Sequence, residues 1–332
     1  MRFSLICILL MCTYTGICQS TVEKYYSFVN KAELSICSYK NKAASKYYKR
    51  AFKMLKVPFS VDVKNVFLCE YYGSQNKNRL IVLAKLLKGA GVLIEDIIPK
   101  EDRNDVFASV LLHQQEADIK YNLIFSKKID SLQKIDKYSR ILCPAYHDSC
   151  KEAVRYSDSL NMIKLIEIEK EYGKAREASI GKMSVFFLNV LMGHWIMWNW
   201  YPMREELRED VMRGIYDARQ FARLEDKLFM YSNNQHLEYG VDSYFIVGGV
   251  LFISVNDTKA EIDKRRKSLF LETLDELGVK TLFQVKNKKY LFNPHLFTLV
   301  LGDSLENVNK AKELMEKIDN GKINGNYYNL NK

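Results

Sequence analysis

The sequence lacks the short motifs by which many enzyme classes are recognised. It has no Gly-rich phosphate-binding loop, no nucleophile elbow and no helical pair of histidines for zinc. It has no block of five or six like charges, although its formal net charge is +10. Lys and Arg alternate with Asp and Glu, which is typical of a solvated basic surface. We therefore expect no cofactor, no bound metal and no nucleic-acid partner.

Cysteine is scarce beyond the first 18 residues, where only four of the seven cysteines remain: Cys37, Cys69, Cys143 and Cys150. Four cysteines in so long a chain do not form a disulfide scaffold. Cys143 and Cys150 bracket a short loop that contains His147. The pattern leaves three interpretations of this pair, namely a disulfide, two free thiols or part of a metal site. The loop alone offers too few ligands for a metal.

The N-terminus predicts an export signal over residues 1–18. Arg2 provides the positive charge, residues 3–12 form an apolar stretch too short to span a bilayer, and Gly16 and Cys18 are small residues before a cleavage site at Gln19. The protein is therefore expected in the periplasm or secreted. Two alternatives stay open, a lipoprotein acylated at Cys18 and an uncleaved anchor.

Residues 19–98 are predicted to form tetratricopeptide-like helical hairpins. Apolar residues recur at helical spacing over 22–37 and 43–55, and a second pair follows at 62–75 and 77–90. The spacing of Ala32, Ala44, Tyr48 and Ala51 resembles the tetratricopeptide pattern, in which small residues let helices pack closely. Two repeats are too few for an independent solenoid. We expect this region to dock on the rest of the chain and to offer a surface for a protein partner.

Residues 99–332 are predicted to form a second, mainly α domain with a small β element. Helices are expected over 101–172, 203–231, 257–277 and 303–319, and strands near 243–255 and 281–301. The turn Gly248-Gly249 predicts a hairpin within the first strand region. The uncharged run 183–201 is long enough to cross a membrane, but polar residues interrupt it. A core helix is preferred, so no transmembrane helix is expected in the mature chain.

From about residue 130 to 277 the chain resembles a family of exported bacterial proteins, of the Bacteroidetes type, known only as a domain of unknown function. The family carries the ordered pattern DQ..R, D..N, a Gly pair, a helix ending in His, DR, YGTQ and RR...GL. The residues that match it here are Asp136, Arg140, Asp158, Asn161, Gly173, Gly181, His194, Ala222, Leu224, Asp226, Tyr239, Gly240, Arg265 and Arg266.

This copy of the pattern is degenerate. Lys137 stands where the family has Gln, Lys227 where it has Arg, and Phe270 where it has Gly. The YGTQ element is preceded in the family by a further glutamine, as Q.YGTQ, and both glutamines and the threonine are replaced here. The family brings no established activity, so the resemblance implies a fold and a compartment more than a reaction.

The polar residues of this pattern are the candidate site. His194 is the candidate acid or base, with Asp226 and Asp158 as catalytic partners. The candidate ligand-binding residues are Asp136, Arg140, Asn161, Tyr239, Arg265 and Arg266. Each has a simpler explanation: a core histidine bonded to Asp226, helix-surface pairs, a turn, and solvated arginines.

Two functions follow from the sequence. The first is a non-catalytic binding or scaffold module of the bacterial envelope. The second is a hydrolase that uses His194, with an arginine to hold an anionic substrate.

Overall fold

The structure, a computed structural model, shows a mainly helical chain. It describes residues 21–143, 148–234, 237–241, 244–247, 250–255, 257–292, 298–300 and 326–329. The predicted export signal, His147, the turn Gly248-Gly249 and the predicted helix 303–319 lie outside the described residues. The prediction of a mainly α fold is confirmed.

Twelve α-helices are found in the described part of the chain, and asparagine side chains begin three of them. Asn76, Asn104 and Asn122 each accept a hydrogen bond from a backbone N–H in the first helical turn. The helices are α1 (21–37), α2 (Asn41–Ala51), α3 (Ser60–Tyr71), α4 (Lys77–Gly89), α5 (Asp105–Gln115), α6 (Leu123–Leu142), α7 (Asp148–Tyr172), α8 (Glu177–Ile196), α9 (Arg204–Met212), α10 (Ala218–Phe229), α11 (Lys259–Ser268) and α12 (Leu274–Asn287).

The chain divides into two compact units, each discontinuous in sequence. Unit 1 joins the described parts of Met1–Ser74, Arg204–Asp226 and His236–Lys332, and unit 2 joins Gln75–Met203 to Lys227–Gln235. The predicted domains, 19–98 and 99–332, are continuous segments, and this assignment stays a prediction.

Unit 1 has a core built from helices, and it also contains a small sheet. Buried Val22, Tyr25, Val29 and Ile36 recur along one face of α1, and α2 packs against α3. The sheet has the strand order β3-β1-β2-β4. Strand β1 (Tyr244–Val247) pairs antiparallel with β2 (Val250–Val255) and parallel with β3 (Thr298–Val300). Strand β2 pairs antiparallel with β4 (Asn326–Asn329).

Residues 281–287, which the sequence analysis assigned to strand, are the second half of α12. Thr273 and Glu276 form a capping box that begins this helix. The buried positions Leu274, Leu277, Thr281 and Gln284 then follow helical spacing. Local capping and a period near 3.6 therefore outweigh the strand-like composition. The predicted helix 257–277 is also two helices, separated after Ser268.

Unit 2 contains a three-helix layer in which α6 packs against α7 and α8. Gly181 has a left-handed φ of 78° inside α8, and the ring of Tyr121 lies where a Cβ would stand. This close approach requires glycine and bends the start of the helix. Helix α8 contains much of the apolar run 183–201. Within the described residues, no helix combines the length and apolar character that a membrane span requires.

A disulfide links Cys143 to Cys150, with their Cα atoms 5.2 Å apart. It joins the C-terminal end of α6 to the first turn of α7. Of the three interpretations of this pair, the disulfide is the one that the structure shows. The other two cysteines of the described region, Cys37 and Cys69, are not disulfide-bonded.

Candidate functional site

Helices α6, α7 and α8 bring four of the predicted residues together near the disulfide. Asp136 and Arg140 lie one turn apart on α6, Asp158 lies on α7, and His194 lies in the last turn of α8. We call these four residues the polar cluster. Both aspartates are buried, whereas the Arg140 and His194 side chains are 20% and 24% exposed. The cluster therefore reaches the surface through its two basic members.

Arg140 joins the two carboxylates of the cluster. Its Nη1 and Nη2 donate to Oδ1 and Oδ2 of Asp158 at 3.0 and 2.9 Å, and Nη1 also donates to Asp136 Oδ1 at 2.6 Å. Such bidentate, charge-assisted bonds are the strongest that a carboxylate makes with a side chain. Asp136 and Arg140 were also interpreted as a surface pair one turn apart. The structure replaces that interpretation with a largely buried bridge between α6 and α7.

His194 has a carboxylate partner, but it is Asp136. Its Nδ1 lies 3.0 Å from Asp136 Oδ1. An ionised carboxylate accepts the Nδ1 proton of a neutral imidazole, which leaves Nε2 as an acceptor. The sequence analysis assigned Asp136 to ligand binding and named Asp226 and Asp158 as partners of His194.

Asp158 is surrounded by donors. Besides Arg140, the indole Nε1 of Trp198 donates to Asp158 Oδ2 at 2.7 Å. Trp198 follows α8, and sequence reasoning missed it because the aromatic end of the run 183–201 was interpreted only as core. Arg155 lies over the rings of Trp198 and Trp200, at 6.0 and 5.6 Å from their centroids.

Asn161 lies one turn after Asp158 on the buried side of α7. It is fully buried, and neither Nδ2 nor Oδ1 has a hydrogen-bond partner among the described residues. Nearly all buried polar groups in proteins are paired, since an unpaired one costs about 1–3 kcal/mol. Asn161 is therefore an unused donor and acceptor next to the polar cluster.

Asp226 has a structural role in unit 1. It accepts backbone N–H bonds from Tyr239 at 2.5 Å and Val241 at 2.7 Å, and so holds the segment that leads towards β1. Tyr239 is buried, and burial raises the pKa of its hydroxyl to about 12. The predicted role of Tyr239 as a turn residue fits this geometry better than the predicted role in ligand binding.

Arg265 and Arg266 are both engaged with the chain. Arg266 is fully buried and donates to the carbonyl oxygens of Tyr239 and Glu272, at 2.6 Å each. Arg265 donates to the Glu238 carbonyl at 3.1 Å and to the Asp257 carboxylate at 2.9 Å. This hydrogen bond lowers the pKa of Asp257. The interpretation as solvated arginines is wrong for Arg266, whose guanidinium fastens the start of α12 to the Tyr239 segment.

Unit 1 also holds a cluster that sequence reasoning missed, which we call the buried charge network: Glu33, Asp62, Asp217, Arg219 and Lys280. Arg219 contacts Asp217 at 2.9 Å, Asp62 at 3.2 Å and Glu33 at 3.2 Å, and Lys280 contacts Glu33 at 2.5 Å. Tyr25 donates to Asp62 at 2.6 Å. The only signal in the sequence was a charged residue among apolar ones at a predicted helical position, as at Asp62.

Burial shifts the pKa values of acidic groups in and beside this network. It raises the pKa of Glu33 to about 7, against the opposing effect of Lys280 and Arg219. It raises the pKa of Asp62 as well, whereas Lys280 and Arg266 lower the pKa of Glu272. The network fixes α1, α3, α10 and α12 to one another, and none of its members is more than 7% exposed.

Within the described residues there is no group of three or more His, Cys, Asp or Glu side chains placed to hold a metal. Comparison with protein families, with curated proteins and with solved structures finds no match to this chain. The resemblance to the exported bacterial family therefore stays a prediction, and the polar cluster must be interpreted from its own geometry.

Proposed function

We propose that this chain is an exported, non-catalytic binding module of the bacterial envelope, with the polar cluster in its binding surface. The observation that carries the proposal is the position of Arg140 between two aspartates. Ionic groups that satisfy one another in this way hold helices together. Their exposed edges, on Arg140 and His194, can still contact a partner.

The chemistry of the partner follows from His194. With Nδ1–H donating to Asp136, a neutral ring keeps Nε2 as an acceptor, on a side chain that is 24% exposed. The cluster contains two carboxylates and one guanidinium, so it has no positive charge to spare for an anion. A matching partner would bring an N–H or O–H donor to His194.

Export is the second part of the proposal, and the sequence supports it. Arg2, the apolar residues 3–12 and the small residues Gly16 and Cys18 form the pattern of a cleaved signal. The resemblance to a Bacteroidetes-type exported family favours the same compartment. Periplasmic or secreted protein is proposed, with a lipoprotein modified at Cys18 as the alternative.

The N-terminal helices are proposed as a tetratricopeptide-like surface for a protein partner. Ala32, Ala44, Ala51 and Tyr48 are all fully buried, which supports close helix packing at these positions. The second predicted pair, 62–75 and 77–90, extends across the division between the units. We also take 243–255 as a β-hairpin, supported by the antiparallel register of β1 and β2.

The test is partner capture from envelope extract by the full mature chain and two matched histidine variants. His194→Gln removes the acceptor of the polar cluster. His113→Gln changes a half-buried histidine on α5 whose Nδ1 contacts only the Ser109 carbonyl in the described residues. We expect His194→Gln to lose captured material that the wild type and His113→Gln retain. Equal capture by all three would reject the polar cluster as a binding surface.

Deleting residues 20–98 is a poor test of the same idea. The deletion removes Glu33 and Asp62 from the buried charge network, which leaves Arg219 with Asp217 and Lys280 with the more distant Glu272. A buried ion pair broken on one side costs about 3–5 kcal/mol, so the truncated chain would not report on binding.

A hydrolase is the second candidate, favoured by one observation, the 3.0 Å pair of His194 and Asp136. The carboxylate orients the ring so that Nε2 could take a proton from water. Among the described residues, however, no Ser, Thr or Cys side chain hydrogen-bonds to His194. Hydrolysis of chromogenic ester, phosphoester or glycoside substrates that disappears in both His194→Ala and Asp136→Asn would establish this candidate instead.

A further inference from the structure

Four large apolar side chains stand exposed around the disulfide end of unit 2. Tyr138, Ile141 and Leu142 on α6 and Tyr156 on α7 are each 63–66% exposed. Tyr138 lies five residues before Cys143 and Tyr156 six residues after Cys150, about 8–9 Å along each helix from the disulfide. The two helices run antiparallel from it, so these side chains share one end of the helix pair. Exposed apolar groups gathered in this way mark an interaction surface.

The three apolar side chains of α6 share one face of that helix. Asp136 on α6 and Asp158 on α7 are joined through Arg140, and each also contacts a residue in or just after α8. Tyr138, Ile141 and Leu142 lie opposite Asp136 on the helical wheel, so they face away from α7 and α8. Tyr156 lies opposite Asp158 and faces outward from α7.

Exposed lysines lie on the same outer face of α6. On the helical wheel Lys134 lies about 160° and Lys137 about 100° from Asp136, and both are exposed. No exposed acid lies among the described side chains of 134–142. We call Lys134, Lys137, Tyr138, Ile141 and Leu142 the tip. Its charge and its apolar centre together restrict what can cover it.

We propose that the tip docks this protein on an anionic lipid surface. Tyrosine and aliphatic side chains enter the headgroup boundary, where amphipathic rings are favoured. The lysine side chains extend from the same helix to the phosphates, with their apolar stems along the surface. The charge complementarity of these lysines and an anionic bilayer selects this occupant over a neutral apolar one. The proposal uses none of the polar cluster and is independent of the proposed function.

The experiment is co-sedimentation of the full mature chain, disulfide intact, with two kinds of vesicle. One is phosphatidylcholine alone, and in the other about a third of the lipid is phosphatidylglycerol. We expect binding to the anionic vesicles, and its loss at about 0.5 M salt because the charges are screened. Lys134→Glu/Lys137→Glu should weaken binding by at least about thirtyfold, the factor for two charges at about 1 kcal/mol each.

Two further variants distinguish binding through the tip from non-specific adsorption. Tyr138→Ser/Leu142→Ser should abolish binding at all salt concentrations while the fold, followed by circular dichroism, is kept. The matched control, Val82→Ser/Lys85→Glu, removes an exposed apolar and an exposed basic side chain from α4 of the same unit and should bind as wild type.

Three results would overturn the proposal. One is the absence of sedimentation with anionic vesicles, and another is equal weakening by the α4 control. The third is binding to poly-L-glutamate without binding to vesicles, which would assign the tip to an acidic protein partner.

Discussion

The polar cluster of unit 2 and the buried charge network of unit 1 use the same side-chain chemistry for different ends. In each, an arginine bridges aspartates. Arg219 is 7% exposed and its three acidic partners are buried, whereas Arg140 is 20% exposed beside a partly exposed His194. All members of the network are buried, and the network stabilises the fold. The cluster is partly exposed, which is why it is the one proposed to contact another molecule. Exposure, and not composition, separates the two clusters.

The comparison between the network and the cluster can be tested by mutation, and the largest expected loss of stability is at Arg219. Arg219→Met removes the one side chain that contacts Glu33, Asp62 and Asp217, and leaves several carboxylates uncompensated in a buried site. The free energy of unfolding should fall by about 3–5 kcal/mol. Arg140→Met, the counterpart in unit 2, should cost less because solvent reaches its site. Urea denaturation measures both. Equal losses would show that the two clusters are energetically alike.

The disulfide gives the next effect, and it belongs to unit 2 alone. Cys143→Ser/Cys150→Ser opens a loop of eight residues, which in the chain-entropy treatment lowers stability by about 2.5 kcal/mol. Thermal unfolding of the double variant against disulfide-intact wild type checks this, and reduced wild type should unfold like the variant. Because Arg140 still bridges α6 and α7, the contact between His194 and Asp136 should persist in the variant. A variant that loses the histidine contact would make the disulfide a requirement of the polar cluster.

Helix positions followed from the sequence, but side-chain partners did not. Apolar periodicity placed α1 and α2, because this signal acts within one or two turns, and the polar residues within 183–201 favoured a core helix there. The pairing of His194 with Asp136, 58 residues apart, depends on how α6 and α8 pack. The strand assignment at 281–287 was wrong because composition was weighed above the capping box at Thr273. The buried charge network was missed for the same reason as the His194 pairing, since its members are distant in sequence.

The titration of Glu33 distinguishes the two clusters in another way. Four carboxylates of unit 1, Glu33, Asp62, Asp217 and Glu272, face three cations, Arg219, Arg266 and Lys280, in the described residues. Burial raises the pKa of Glu33 from 4.5 to about 7, so the folded state holds a proton that the unfolded state has released. This contribution to stability is complete below pH 4.5 and is lost as pH rises through 7.

Glu33→Gln removes the carboxyl group that binds this proton, so the variant lacks the pH dependence that Glu33 gives to stability. The free energy of unfolding of the wild type, minus that of the variant, should therefore fall as the pH rises from about 4.5 to 7. Its slope should be below about 1.4 kcal/mol per pH unit. Chemical denaturation at several pH values measures it. His194→Gln, the control in the polar cluster, should leave that window in place. A flat difference between wild type and Glu33→Gln would mean that the network holds no extra proton.

Asn161 gives the smallest effect and the sharpest distinction between fold and function. Its amide is fully buried and unpaired in the described residues, so it contributes desolvation without compensation. Replacing an unpaired polar group by an apolar one of similar size removes that cost, and Asn161→Leu should leave stability unchanged or raise it by about 1 kcal/mol. If the amide serves the partner of the polar cluster, the same variant should capture less material from envelope extract. Gains in stability at the expense of binding are the signature of a functional group. A variant that is both less stable and equally able to bind would assign Asn161 to the fold.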